Sequence, residues 1–289
     1  GTIHRIMGQQ GYYMTNTGFK PEIPGIPWLR RSMAAALIAI TRPYIRRELP
    51  GWGYIYYSLI GGYRRNWLWQ GQRPRWVRGK LHGYEMLVEI SGWSNRATFF
   101  LERFYDLPTQ LLIVTWLRPG DLFVDVGANE GMMSLLATAR VGSSGKVIAF
   151  EPNPVPREKL RQGIARNSIT QIDLREFGLG ERDATLSLFV PIINTGEGTF
   201  TATDRNDGVR IEAQIRVGDT ELADERPRLV KIDVEGFEFH VISGLRRVLG
   251  ADRPMVVMEL IAGHLARDGQ TPAAIIASMA ELGYEARRL

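Results

Sequence analysis

Leu122-Phe-Val-Asp-Val-Gly-Ala-Asn-Glu-Gly-Met-Met-Ser134 is the stretch whose reading decides the fold. Leu122, Phe123, Val124 and Val126 make the short continuous apolar run of a strand covered on both faces. Gly127 and Gly131 then remove side chains where the backbone turns sharply and a ligand comes close. Met132, Met133, Leu135 and Leu136 open the apolar face of a helix. The thirteen residues predict a strand, a turn and a helix start that cradle a nucleotide-like cofactor.

Downstream the pattern repeats. Strands are predicted over 122–126, 147–151, 172–177, 229–233 and 255–260, with the start of a sixth at 284–287. Helices fall between them over 130–140, 157–166 and 272–282, and another has Val241, Leu245, Val248 and Leu249 on its buried side and Gly250 as its cap. Residues 185–190 and 210–217 read as an inserted strand pair around a polar loop, 194–208. The alternation predicts an α/β fold, a doubly wound parallel sheet with helices on both faces. Residues 121–289 form the cofactor-binding domain in this reading. Residues 73–120 hold a β-hairpin (76–81 and 84–91 around His82-Gly83) and a helix over 108–117 that leads into the core. Residues 1–72 are a basic, tryptophan-rich extension with a helix from Pro27 or Trp28 to Ile40.

Composition narrows the chemistry. The absence of cysteine from 289 residues excludes disulfides, thiolate metal sites and cysteine nucleophiles. His4, His82, His240 and His264 are the only histidines. No apolar run reaches the length of a membrane span, which suggests a cytoplasmic protein, with peripheral attachment at the inner face of a membrane as a variant. Charge is unevenly spread: residues 1–82 hold 13 Lys+Arg against 2 Asp+Glu, and the remainder 23 against 29. Five of the seven tryptophans also lie before residue 83. This basic part reads as a solvated cover, as a membrane-surface contact, or as a substrate-recognition element; nucleic acid is the weakest partner. Oligomeric state is left open.

In a doubly wound sheet, ligands sit beyond the carboxyl ends of the strands. Four predicted strand ends carry carboxylates there: Asp125, Glu151, Asp233 with Glu235, and Glu259. Any one of them can equally cap a helix or hold a loop. A dinucleotide site prefers G-x-G-x-x-G, so that a pyrophosphate can meet the helix N-terminus. Here Asn129 and Glu130 occupy that region, and the carboxylate disfavours phosphate. A sulfonium cofactor with an amino-acid tail suits acidic and amide groups better. Glu151 is placed to take both hydroxyls of a ribose in either class.

Phe123-Val-Asp-Val-Gly-Ala-Asn-Glu-Gly131, Val147-Ile-Ala-Phe-Glu-Pro-Asn-Pro154 and Val230-Lys-Ile-Asp-Val-Glu-Gly236, with Gly244 and Glu259 downstream, resemble the FkbM family of S-adenosylmethionine-dependent methyltransferases over roughly residues 93–285. The resemblance implies a class I methyltransferase fold and O-methylation of a sugar, glycan or natural-product hydroxyl. By the family pattern, Asp125, Gly127 and Asn129, with Gly131 closing the turn, would line the methionine side of S-adenosyl-L-methionine. Glu151 would hold its ribose, Asn153 and the region of Phe177 its adenine, and Asp233 and Glu235 would face the transferred methyl. His240 stands where the family often has an acidic residue.

Methyl transfer needs an oxygen aligned with an activated methyl and an acceptor for its proton. Asp233, Glu235 and His264 are the candidate catalytic residues. A surface loop histidine is the plain alternative for His264, and His240 is a weaker candidate base. A divalent metal held by Asp233, Glu235, Glu259 and His264 suits oxygen-rich ligands but ranks below a metal-free site. The partner implied is a hydroxyl-bearing small molecule or saccharide. The competing function is a catalytically inactive nucleoside-binding or scaffolding module of the same fold.

Overall fold

The computed structural model describes residues 27–61, 65–191, 198–201 and 206–289. An N-terminal layer comes first: α1 (Pro27–Ile45), α2 (Trp52–Ile55) running into one π-helical turn (Tyr56–Ile60), α3 (Asn66–Trp69), the antiparallel hairpin of β1 (Arg75–Arg78) and β2 (Glu85–Val88), and α4 (Trp93–Leu101). α1 outruns its predicted end and carries Pro43 inside it, because the added turn buries Ile45. Trp69, Phe99, Phe100, Tyr56 and Met86 form the core of this layer, which also takes in Met132 and Leu135 from the helix after Gly131. Arg96 is wholly buried there, with its guanidinium 5.7 Å from the Trp69 ring centroid and donating to Asn66 Oδ1 at 2.8 Å.

α5 (Leu107–Trp116) starts at Asp106, whose side chain accepts from the Thr109 amide. The second part follows: β3 (Leu122–Val126), α6 (Met132–Val141), β4 (Lys146–Phe150), α7 (Pro154–Arg166), β5 (Ile172–Arg175), β6 (Gly178–Gly180), β7 (Ala184–Pro191), β8 (Gly208–Val217), α8 (Gly218–Glu221), β9 (Leu229–Ile232), α9 (Glu238–Gly244), α10 (Arg246–Asp252), β10 (Met255–Met258), α11 (Ala262–Leu265) and α12 (Pro272–Glu281). The main sheet runs β10-β9-β3-β4-β5 with every pairing parallel. Counted along the chain, that is the order 3-2-1-4-5, and its switch point lies between β3 and β9. Strand alternation divides the core. Phe123 and Leu229 pack with Ile113 of α5, Leu117 just past its end and Leu136 of α6. Val124, Val126, Val230 and Ile232 pack with Val241, Val248 and Ile275 of α9, α10 and α12.

The doubly wound parallel sheet is as expected, and four local features differ. The strand predicted over 172–177 stops at Arg175, and the chain resumes as β6 in a separate sheet of order β6-β8-β7. Gly178 and Gly180 lie so close to Ile215 that a Cβ at either would come within 3 Å of its side chain, which ties this segment to β8. The single helix expected through Val241 and Leu249 is two helices that meet at the fully buried Leu245. Gly250 lies inside α10, and Arg253, left-handed at φ 46°, ends it. Residues 284–287 form no strand; Tyr284 instead packs on the core and its hydroxyl donates to Leu249 O at 3.1 Å. Among the described residues, no helix is long and apolar enough to cross a membrane.

Candidate active site at the strand switch point

Asp125 and Lys231 are direct partners in the β3–β9 register and project to the same side of the sheet. Asp125 is fully buried; its Oδ2 accepts from Ser134 Oγ at 2.6 Å and its Oδ1 lies 3.2 Å from Lys231 Nζ. Lys231 Nζ also donates to Gly127 O at 2.9 Å and stands 3.4 Å from Asp233 Oδ2. Burial works against its positive charge, but Asp125 and Asp233 outweigh that, leaving its pKa above the ordinary lysine value. Lys231 thus ties the turn after β3 to the end of β9. Sequence reading gave it no role, although a lysine in an otherwise apolar strand was the available signal.

The turn itself is tightly constrained. Gly127 has φ 77°, and a Cβ there would lie 1.9 Å from the carbonyl oxygen of Asp233. The side chain that Gly131 lacks would run into Leu160 of α7. Asn129 is left-handed, and its amide donates to Glu151 Oε2 at 2.7 Å, while Glu151 Oε1 accepts from the Asn153 amide at 2.8 Å. Burial pushes the Glu151 carboxyl up to about 7, against the pull of those two amides. Asn153 caps α7 by accepting from the Val155 amide. Glu130, expected to keep phosphate away, is neutralised by Lys159 at 2.7 Å and receives Asn95 Nδ2 at 3.0 Å. It joins the turn to α4 and α7. Phe177 lies against Phe150 with the two rings tilted and their centroids 5.7 Å apart, and the Arg216 guanidinium sits 4.5 Å from the Phe177 ring centroid.

Beyond β9 the chain turns through Asp233 and Glu235. Asp233 leaves about a third of its side chain open to solvent. Glu235, left-handed at φ 54°, sets its Oε2 2.7 Å from Nδ1 of His264 on α11. That bond raises the His264 pKa despite partial burial. Glu235 O accepts from Thr199 Oγ1 at 2.9 Å, so the inserted segment is fastened to this turn; residues 194–197 and 202–205 of the expected polar loop lie outside the described residues. Glu259 is exposed as a residue, yet burial of its carboxyl and the charges of Asp233, Glu235 and Asp106 push it up to about 7. Burial and the same acidic neighbours, Glu259 included, raise the Tyr105 phenol, whose ring lies 4.9 Å from that of Trp93. Trp93, Tyr105 and Asp106 were not singled out from sequence. Their place beside the acidic groups follows from how the N-terminal layer packs on the sheet.

His240 does not join this group. Its Nε2 is 2.9 Å from Asp268 Oδ2, its Nδ1 is 3.6 Å from Glu181 Oε1, and its ring stacks on Phe237. The metal alternative also changes, since Glu235 is turned to His264. Among the described residues, no three Asp, Glu or His side chains converge as ligands.

The groups around the Gly127 turn fit a cationic nucleoside with an amino-acid tail. Glu151 offers a buried carboxylate at the end of β4, Asp233 a partly exposed one at the end of β9, and neither place carries the excess of donors that a pyrophosphate needs.

Comparison with known proteins agrees. The Methyltransferase FkbM domain profile matches residues 125–286. Hexuronic acid methyltransferase AglP of Haloferax volcanii is 29% identical over 188 residues, covering 62% of this chain and 75% of that protein. Methyltransferase sdnD of Sordaria araneosa is 31% identical over 165 residues, covering 56% of this chain and 60% of that protein. Among solved structures, precorrin-6y C5,15-methyltransferase from Geobacter metallireducens overlays with a TM-score of 0.40 at 14% identity, over 63% of this chain and 74% of that one.

Proposed function

Because the chain belongs to the Methyltransferase FkbM domain family and takes S-adenosylmethionine as its cofactor, we propose that it is an O-methyltransferase acting on a hydroxyl of a sugar, a glycan or a natural product. The observation that carries this reading is the Glu235–His264 pair. With Nδ1–H directed at Glu235, neutral His264 presents an unprotonated Nε2, the form that accepts the proton of an acceptor hydroxyl. AglP, named for hexuronic acid, supports a saccharide acceptor.

Bound S-adenosylmethionine supplies an electrophilic methyl on its sulfonium. Glu151 holds the ribose hydroxyls, the turn Asp125–Gly131 takes the amino-acid end, and Asn153 with the Phe177 region borders the adenine. Lys231 positions this turn against Asp233, whose open carboxylate orients the cofactor ammonium or the acceptor hydroxyl. Glu235 positions His264 and stabilises the imidazolium formed when the proton arrives. Trp93 and Tyr105 offer an aromatic wall against which a sugar ring packs. The enzyme is assigned to the cytoplasm, the compartment that supplies the cofactor.

Calorimetry with S-adenosylmethionine, followed by transfer of a labelled methyl to a panel of monosaccharides, uronic acids and glycan extracts, tests the proposal. Cofactor binding with label in an alkali-stable methyl ether is expected. A folded protein that binds no cofactor would leave only the idle nucleoside-binding or scaffolding role. Label recovered on nitrogen or carbon would defeat the O-methyl assignment.

A further inference from the structure

α1 is apolar on two opposite sides. Ala34, Thr41 and Ile45 are buried against the N-terminal layer, with Leu37 and Ile38 half-buried beside them. Leu29, Met33, Ala36 and Ile40 recur at three- and four-residue spacing on the outward side, where Leu29 is 45%, Met33 44% and Ile40 75% exposed. This row runs for about 17 Å along the helix. α2 and the π-helical turn pack against α1 and add Tyr54 at 81% and Tyr57 at 69% exposure. A helix lying on a water-facing surface keeps its apolar residues to the buried stripe, and contiguous apolar surface beyond it marks a contact.

The charge around this face says what the contact is. From residue 27 to residue 60 the only carboxylate is Glu48, and it is held by Lys80 and Arg103. Arg47 is exposed just past the end of α1; Arg31 is exposed on the other side of the helix from Leu29 and Met33, and Arg46 is paired with Glu102. A second copy of the chain would bring like charges together. An anionic bilayer satisfies both features, taking apolar and aromatic side chains into its headgroup–acyl boundary and holding arginines at its phosphates. We propose that the outward face of α1, with Tyr54 and Tyr57, docks the enzyme on an anionic lipid surface.

Sedimentation of the full chain with vesicles tests this, comparing phosphatidylcholine alone with phosphatidylcholine containing about a third phosphatidylglycerol, at about 0.1 M and about 0.5 M salt. Binding is expected to the anionic vesicles only and to weaken at high salt. Arg47→Gln should weaken it about fivefold, the factor for about 1 kcal/mol on one basic residue. Ile40→Glu with Tyr54→Glu should weaken it at least tenfold while S-adenosylmethionine binding, read by calorimetry, stays at the parent value. Absence of the unmodified protein from the anionic pellet overturns the proposal, as does pelleting that the Ile40→Glu, Tyr54→Glu variant retains. A dimer in solution that this variant splits gives the face to a second copy and overturns it too. If the variants do not fold, quenching of parent tryptophan fluorescence by lipids brominated near the headgroup decides, and no quenching counts against docking.

Discussion

The carboxyl ends of β3 and β9 and the outward face of α1 handle charge in opposite ways. At the switch point Asp125 and Lys231 are buried, matched in register and tied to backbone, so each charge has a specific partner. Along α1 and just past its end, Arg31 and Arg47 stand in water while Arg42 and Arg46 share Glu102, beside exposed apolar residues and with Glu48 the only carboxylate between residues 27 and 60. The first arrangement fixes geometry and tolerates little change. The second tolerates change in the fold, and under the docking proposal it sets where the molecule adheres.

The most damaging way to probe that contrast is Lys231→Met. It leaves Asp125 buried without its countercharge, and denaturant unfolding should show a loss of about 3–5 kcal/mol. A loss below about 1 kcal/mol would mean that Lys231 is not what holds Asp125 in place. On the α1 side, Ile40→Glu should move stability by less than about 0.5 kcal/mol, since it alters an exposed position.

Next in size is His264→Ala, expected to lower kcat by about a hundredfold or more with cofactor affinity within about twofold. The bond to Glu235 raises the His264 pKa, and the neutral base exists only above it. The rise of kcat/KM with pH should therefore be centred above the ordinary histidine value of 6.5, and Glu235→Gln should shift it downward. An unmoved midpoint would remove the positioning role of Glu235.

Smaller still is the pH dependence of cofactor binding. Burial raises the Glu151 pKa from 4.5 to about 7 in the folded protein, so the carboxylate proposed to accept ribose hydroxyls is about 10% populated at pH 6 and about 90% at pH 8. Affinity for S-adenosylmethionine should tighten by up to about tenfold across that window. Stability of the cofactor-free protein should fall as pH rises from 4.5 through 7, because the folded state there holds the proton more tightly than the unfolded chain does. In Glu151→Gln both trends should flatten; persistence of either would point to another group.

Much of the scaffold was legible because it rests on local patterns. The apolar run before Gly127 reads as a strand whatever surrounds it, and Glu151 declares itself by its place at a strand end. What stayed hidden depends on parity and packing between distant segments. Lys231 gains its role only when its strand lies beside β3 in register with Asp125. Glu130 looked like a free carboxylate until α4 and α7 brought Asn95 and Lys159 to it. The break at Arg175 and the absent strand at 284–287 have a similar origin, since contacts with β8 and with Leu249 override the local alternation.

Gly127 also has an evolutionary meaning. With the Asp233 carbonyl oxygen lying where a Cβ would stand, no single substitution at 127 can be accepted without moving the backbone of β9's end. In the proposed enzyme, drift in acceptor preference is barred from the Gly127 turn and is channelled to the Thr199-anchored insertion and the aromatic edge at Trp93 and Tyr105. Directed evolution toward new acceptors should therefore accumulate its changes in those two places while residue 127 stays fixed.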